Sequence, residues 1–447
     1  MKKIPPFLQW LILASAIALP FFIIRIFPTL HHVYDLSIFR TWADAWGWGW
    51  QDIYINCKSC NYPILGTAFS GGLFSSIDFK NELRVINRFR YYLAMVDALN
   101  VLMMYWIFSR LKIQNAPLWA GVIGLLPSTW ISSSVWGQID GIGQFLILLF
   151  YILLIEFNMI YRKGLTYYLF LAGAGSLLAL MLLTKQLIYF SMAALGLVML
   201  VNIFWISQKP KHIIFSLLTV FGAFITPVLI LDSLLFLKPP YISHLQYVLA
   251  TGSQHGDQIS SLGLNIWVFF YSDFIASSHQ TLQIGSLSLT PLSPFSVGIG
   301  MFLLLNIMFF VLLLKDLRRY ATSEQNLLNT NQLISVFLYF SFVNLSFNLM
   351  LTGTHERYLY HFYPFILIAC LGMLPRSRIF DRTTLIVLFA GSLSYGCFLF
   401  IYLIGWIEQT NYSIIRGAAV IHLVLFCYLL FLWYRNSTSQ NVGVLSA

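Results

Sequence analysis

The chain is a succession of long apolar runs separated by short polar breaks. Runs at about 7–30, 91–109, 116–135, 141–160, 165–183, 187–206, 213–237, 297–314, 332–352, 362–374, 384–405 and 417–434 read as helices. A helix crosses a bilayer with about 20 apolar residues, and most of these runs approach that length. The pattern predicts an all-α integral membrane protein with about twelve transmembrane helices, forming a single polytopic domain over 1–447. Two stretches break the rhythm, at about 31–90 and 238–296. Both mix Trp and Tyr with polar residues, as helices lying at a membrane interface do. They are expected to be long outer loops carrying short interfacial helices. In the first, Thr41-Trp42-Ala43-Asp44-Ala45-Trp46 places Trp42 and Trp46 on one helical face, as an aromatic anchor. The first apolar run continues to Phe27, past Ala14-Ser15-Ala16, so it predicts an uncleaved anchor rather than a removed signal peptide.

Composition agrees. Of 447 residues, 59% are hydrophobic and only 9% charged, against about 25% charged in soluble domains. A polar-coated soluble enzyme and a disordered chain are both excluded. The net charge of +10 would suit nucleic acid, but the basic residues come in ones to threes between apolar runs. That is a topology signal, and no nucleic-acid partner is expected. With Lys2 and Lys3 in the cytoplasm, the other inner segments carry Arg110 and Lys112, Arg162 and Lys163, Lys209 and Lys211, Lys315 with Arg318 and Arg319, Arg376 with Arg378 and Arg382, and Arg435. More than half of the 26 Lys and Arg then lie inside, with both termini on that side.

The polar groups on the opposite side carry the candidate chemistry. Asp35 follows the first run. Trp136-Gly137-Gln138-Ile139-Asp140, Thr184-Lys185-Gln186 and His355-Glu356-Arg357-Tyr358 occupy three short outer turns. Ionisable groups at the ends of packed spans are costly and call for partners or a task. Lys185 and Arg357 are cations suited to a phosphate, the arginine through bidentate contacts. Asp35 is a carboxylate, and Gln138 and Asp140 suit sugar hydroxyls. Each has a plainer reading. Lys185 can snorkel outward, Asp140 can pair with Lys185 or Arg357, and Asp35 can be a solvated interfacial acid. Adjacent His31 and His32 with Asp35 are metal-ligand types, but neighbouring histidines diverge on a helix. Cys57-Lys58-Ser59-Cys60 suits a local disulfide better than zinc, because no second ligand pair follows. Cys370, Cys397 and Cys427 fall in apolar runs and read as core. Asp97 and Asp232, in or near spans, suit helix–helix hydrogen bonds as well as function. Asn411-Tyr412-Ser413 is a glycosylation sequon.

At these residues the chain resembles the polytopic GT-C glycosyltransferases that use polyprenyl-phosphate sugars. It looks most like bacterial relatives of the dolichyl-phosphate-glucose glucosyltransferases and the GPI mannosyltransferases. The resemblance rests on Asp35 with Trp42-Ala43, Asn61-Tyr62-Pro63, Trp136-Gly137-Gln138-Ile139-Asp140, Thr184-Lys185-Gln186, Asn265-Ile266-Trp267 and His355-Glu356-Arg357-Tyr358-Leu359. Relatives often read Y-P-P where this chain has Tyr62-Pro63-Ile64, and K-P-Q where it has Thr184-Lys185-Gln186. The resemblance implies a GT-C-like fold, Asp35 as catalytic base, and basic residues near the membrane on the donor phosphate. Donor contacts are then expected from Lys185, Gln186, His355, Glu356, Arg357, Tyr358, Gln138 and Asp140.

The expected function is a hexosyltransferase moving mannose or glucose from a polyprenyl-phosphate donor to a hydroxyl of a lipid-linked or glycan acceptor. The leaving group is already a phosphate, so cations stabilise it and no acid need protonate it. Inversion by a single displacement is the simpler route. No cofactor and no metal are called for. The expected setting is a bacterial inner membrane with a periplasm-facing site, the alternative an ER membrane with a luminal one. The rivals are a flippase or transporter of polyprenyl-linked saccharides, whose ionisable sites would lie near the bilayer midplane, and a non-catalytic scaffold.

Overall fold

A computed structural model describes residues 4–57, 59–75, 82–159, 164–206, 209–321, 327–375, 377, 379–405 and 412–438. Lys2, Lys3, Lys58, Arg162, Lys163, Glu324, Arg376, Arg378 and Asn411 lie outside the described residues. The chain is 76% helical. Its main helices are α1 (Pro6–Ile26), α2 (Val33–Trp48), α3 (Glu82–Arg110), α4 (Ala116–Leu125), α5 (Asp140–Met159), α6 (Leu165–Leu182), α7 (Tyr189–Ile206), α8 (Pro210–Leu234), α9 (His244–Gly256), α10 (Pro294–Arg319), α11 (Thr330–Met350), α12 (Tyr363–Met373), α13 (Arg382–Leu403) and α14 (Tyr412–Thr438).

Every apolar run in the sequence holds a helix. Among the described residues, ten helices are long and apolar enough to cross a membrane: α1, α3, α5, α6, α7, α8, α10, α11, α13 and α14. The protein is an all-α integral membrane protein. The runs at 116–135 and 362–374 differ, giving α4 with 10 residues and α12 with 11. The first is interrupted for a local reason. Pro127 forces Leu126 out of the helical region, to ψ 130°. The chain resumes as a 3₁₀ turn at Pro127–Thr129 and a π-helical turn at Ile131–Val135.

Two compact units are present: Met1–Gly256 with Leu399–Gln409, and Asp257–Phe398 with Thr410–Ala447. In the first, α1 packs on α3 and α4, α3 on α5, and α6 on α8. The segment between α1 and α3 contains α2, whose Leu36, Phe39, Trp42 and Ala43 recur at helical spacing and are buried. They join Ile53, Tyr54, Cys57, Cys60, Ile64 and Phe89 in one apolar cluster. Cys57 and Cys60 form a disulfide.

The expected aromatic anchor is placed differently. Trp42 is buried, and its indole N–H donates to the Ser59 carbonyl at 3.1 Å. Trp46 lies over Gly71 and Gly72, where no side chain competes for the space. The aromatic residues that α2 exposes are Tyr34 and Trp48.

In the second unit, α11 packs against α10, α12 and α14. Every residue of α11 from Gln332 to Met350 is buried, as its weakly amphipathic sequence requires. The stretch between α9 and α10 holds a short antiparallel hairpin, β1 (Leu282–Ile284) and β2 (Leu287–Leu289), paired Leu282 to Leu289 and Ile284 to Leu287. Asn265-Ile266-Trp267 fastens this loop. Asn265 donates to the Ile259 carbonyl at 3.1 Å and to Thr354 Oγ1 at 3.0 Å, and Trp267 Nε1 donates to the Met350 carbonyl at 2.7 Å.

Candidate functional site

Asp35 sits in the first turn of α2. Its Oδ2 accepts from Trp136 Nε1 at 2.7 Å and from Gln138 Nε2 at 2.6 Å. The two donors are two residues apart in sequence. Gly137 between them has φ +97°, a left-handed conformation that favours glycine, and this turn lets both side chains reach one oxygen. A Cβ on Gly137 would also press on Leu36 of α2, at 2.8 Å from Cδ2. His32 Nδ1 lies 3.2 Å from Asp35 Oδ2 and 3.3 Å from the Asp35 backbone N–H. The His32 ring stacks on Trp136 at 4.6 Å, and Trp136 stacks on Tyr402 at 5.2 Å.

The network continues inward. Gln138 Oε1 accepts from Lys185 Nζ at 3.1 Å and from Tyr62 OH at 3.2 Å. Lys185 forms an ion pair with Asp140 and lies over the Tyr62 ring, 5.0 Å from its centroid. Ser132 Oγ donates to Asp140 Oδ2 at 2.7 Å. Gln186 Nε2 donates to the Asn61 carbonyl. The 183–185 turn is held from outside, because the Leu65 backbone N–H donates to the Leu183 carbonyl at 2.9 Å. Gly66 packs so closely there that a Cβ would collide with the Thr184 carbonyl.

Exposure separates the two carboxylates. The Asp35 side chain is 12% exposed and the Asp140 side chain 0%. A ligand hydroxyl can approach the first and not the second. Gln138 and Asp140, expected on sugar hydroxyls, are buried and turned toward Asp35 and Lys185. Lys185 does not snorkel to solvent, and the plainer pairing of Asp140 with Lys185 is the one formed. The buried cation is held by the Asp140 carboxylate and the Gln138 amide oxygen.

The other expected residues lie in the second unit and form their own cluster. Arg357 Nη1 donates to Glu356 Oε1 at 2.7 Å, and His355 Nδ1 lies 3.7 Å from Glu356 Oε2. The Tyr358 ring lies 5.1 Å from that of His355 and stacks on Phe347 at 5.5 Å. Ser261 and Gly263 backbone N–H groups both donate to the Thr354 carbonyl at 3.0 Å, bracing the turn. Burial pushes the Glu356 carboxyl up, but the Arg357 guanidinium and then His355 outweigh it and hold it below its usual range.

No protein-family model, curated protein or solved structure matches the chain.

Among the described residues, no group of three or more His, Cys, Asp or Glu is placed to hold a metal ion. The sequence named Asp35, Gln138, Asp140, Lys185 and Gln186, and the structure brings Asp35, Gln138, Asp140 and Lys185 into one network, with Gln186 on the adjoining Asn61. It did not single out Ser132 or Tyr402, and it weighed His32 only as a metal ligand. The Tyr62 hydroxyl and the Trp136 indole were visible only as parts of short motifs. Tyr402 had no signal at all, being one aromatic in an apolar run.

Proposed function

We propose that the protein is a membrane hexosyltransferase that moves a sugar from a polyprenyl-phosphate donor to a hydroxyl acceptor, with Asp35 as general base. The observation that carries this reading is the Asp35 carboxylate. It is partly open, and it is oriented by Trp136 and Gln138 from an element about a hundred residues away in sequence. Asp35 takes the proton of the acceptor hydroxyl as that oxygen forms its bond to the anomeric carbon. The bond from that carbon to the phosphate oxygen breaks, and the polyprenyl phosphate leaves with the electron pair, inverting the anomeric centre. Gln138, fixed by Lys185 and Tyr62, keeps the carboxylate in place, and pre-set geometry of this kind carries much of the rate. The reading includes twelve spans in a GT-C-like fold, a mannosyl or glucosyl donor, and an outer-face site at a bacterial inner membrane. Purified protein, offered a panel of polyprenyl-phosphate sugars with lipid-linked acceptors, should give a glycosylated acceptor by mass spectrometry. No product with any donor would count against it.

The sidedness has its own check. Cysteines replacing Tyr34 or Ile242, both exposed, in a background lacking Cys370, Cys397 and Cys427, should react with an impermeant thiol reagent from outside. Cysteines replacing Lys211 or Lys315 should not. Labelling of both sets from one side would remove the topology.

A transporter of polyprenyl-linked saccharides is the second reading. It is favoured by the interruption of the 116–135 helix beside buried Asp97, Asn100 and Gln144, since transporters bind near broken helices within the membrane. Transbilayer movement of a labelled lipid-linked sugar in proteoliposomes, without any glycosylated product, would establish it instead.

A further inference from the structure

The first unit contains a small pocket between α1, α3, α4, α5 and the turn that follows α4, with Ala16, Pro20, Val101 and Met104 on its apolar side. Its polar wall is Asp97, Asn100, Gln144, Thr129 and Trp130. The space is that of a single water-sized occupant. We propose that this cavity is a binding site for one monovalent cation, sodium by its size and ligand set.

The donor atoms support the assignment. Asn100 and Gln144 are 2% and 1% exposed, and Asn100 Oδ1 and Gln144 Oε1 have no hydrogen-bond partner. The Asn100 amide is oriented by its own Nδ2, which donates to the Gly141 carbonyl at 2.9 Å, so its oxygen is the atom left over. Asp97 brings a carboxylate, and Thr129 a hydroxyl that donates to the Leu126 carbonyl at 2.7 Å. Ser133 Oγ, also without a partner, lies beside Asp97 Oδ1. The two crowd over Gly141, where a Cβ would meet both. Two partnerless amide oxygens beside a carboxylate are poorly served by one water, which has only two protons to donate. A hard cation is satisfied by several oxygens at once. One negative charge among neutral oxygens matches a single positive charge, and a divalent ion would ask for more carboxylates.

Arg90 is the basic residue nearest to Asp97 along the same helix, two turns before it and roughly 10 Å away along the axis. Its guanidinium is directed elsewhere, to the Ser134 carbonyl at 3.2 Å, the Pro28 carbonyl at 3.0 Å and Asn87 Oδ1 at 2.8 Å. Asp97 Oδ2 accepts from the Ser134 backbone N–H at 3.3 Å. A cation on Asp97 would thus brace the π-helical turn at Ile131–Val135, which leads directly into Trp136 and Gln138. Such turns recur where a helix is broken to serve a site.

The inference stands on this cavity and does not depend on the glycosyl-transfer reading, so the test needs no activity. The full chain in lipid nanodiscs would be equilibrated with ²²Na⁺, and its thermal unfolding followed in NaCl and in choline chloride at equal ionic strength. Saturable binding of one ion per chain is expected, with a midpoint that rises with sodium and not with choline. Gln144→Leu, which removes one ligand oxygen and breaks no recorded hydrogen bond, should weaken binding about ten- to a hundredfold. Asp97→Asn should abolish it. Absence of saturable ²²Na⁺ binding, with the same midpoint in both salts, would show an uncharged occupant and overturn the proposal. Unchanged affinity in Gln144→Leu would also overturn it, by placing the ion elsewhere.

Discussion

Two clusters pair a cation with a buried carboxylate, and they are built in opposite ways. In the first unit, Lys185 and Asp140 come from different helical junctions, Gln138 and Ser132 come from the segment leading into Asp140, and Tyr62 and Asp35 come from two further places along the chain. In the second, Glu356 and Arg357 are adjacent in sequence, with His355 beside them. The distributed network exists only when several helices have packed, so its geometry is a property of the fold. The local cluster is assembled by the chain itself, and packing only has to cover it. Chemistry that needs atoms held within fractions of an ångström belongs with the first kind. This is the physical reason for assigning the base to Asp35.

The largest expected effect would break that assignment. Asp35→Asn keeps the size and most of the hydrogen bonding, and turnover should fall about a hundred- to ten-thousandfold while donor binding stays near normal. Asp44→Asn and Asp52→Asn should cost far less. Wild-type turnover in Asp35→Asn, with saturating donor and acceptor, would move the base elsewhere.

The distributed pair should also be harder to dismantle. Lys185→Met leaves Asp140 charged, buried and without its cation, a loss of about 3–5 kcal/mol visible in detergent-micelle unfolding. Adding Asp140→Leu should restore most of the stability but not the turnover, because Gln138 has still lost its support. A double variant as unstable as the single one would show that the ion pair is not what the fold depends on. Gly66→Ala should cost about 1–3 kcal/mol by overpacking against the Thr184 carbonyl, with turnover falling as the 183–185 turn shifts. Unaltered stability and turnover together would unlink that contact from the network.

The smallest effect belongs to the local cluster. The folded Glu356 carboxyl lies below its usual range, so its contribution is complete above the unfolded value, about 4.3, and is lost as pH falls through the folded one. Glu356→Gln should flatten this part of the acid limb of unfolding midpoint against pH. An identical acid limb would mean that Arg357 does not stabilise the charged carboxyl.

The apolar runs made the helices legible, because enclosure in lipid imposes one periodicity and one length. The break in 116–135 was legible in principle from Pro127, but a hydropathy pattern does not register it. The pairing of Asp140 with Lys185 was visible only as one of several options, since sequence gives types and not distances. Trp42 and Trp46 misled because an amphipathic aromatic face looks the same whether it meets lipid or protein. Gly71 and Gly72, which receive Trp46, lie 25 and 26 residues further on. The role of Gln138 followed from Gly137, whose φ cannot be read from its neighbours.

The enclosure of α11 bears on how the protein is made. This helix carries Ser341, Asn344, Ser346 and Asn348, all buried. Its mean hydropathy of 1.7 is nevertheless enough for a membrane span. During synthesis each span leaves the translocation machinery singly, so α11 meets acyl chains before it meets α12 and α14. Its amide and hydroxyl groups then have their own backbone, as Ser341 has Phe337 at 2.8 Å and Asn344 has Phe340 at 3.0 Å, and the preceding α10, whose Asn306 donates to Ser346 at 3.4 Å. The arrival of α12 only a dozen residues later shortens that exposure. The order of helices along the chain is thus also an order of shelter, in which the most polar span of the second unit is enclosed by its next neighbour soon after insertion.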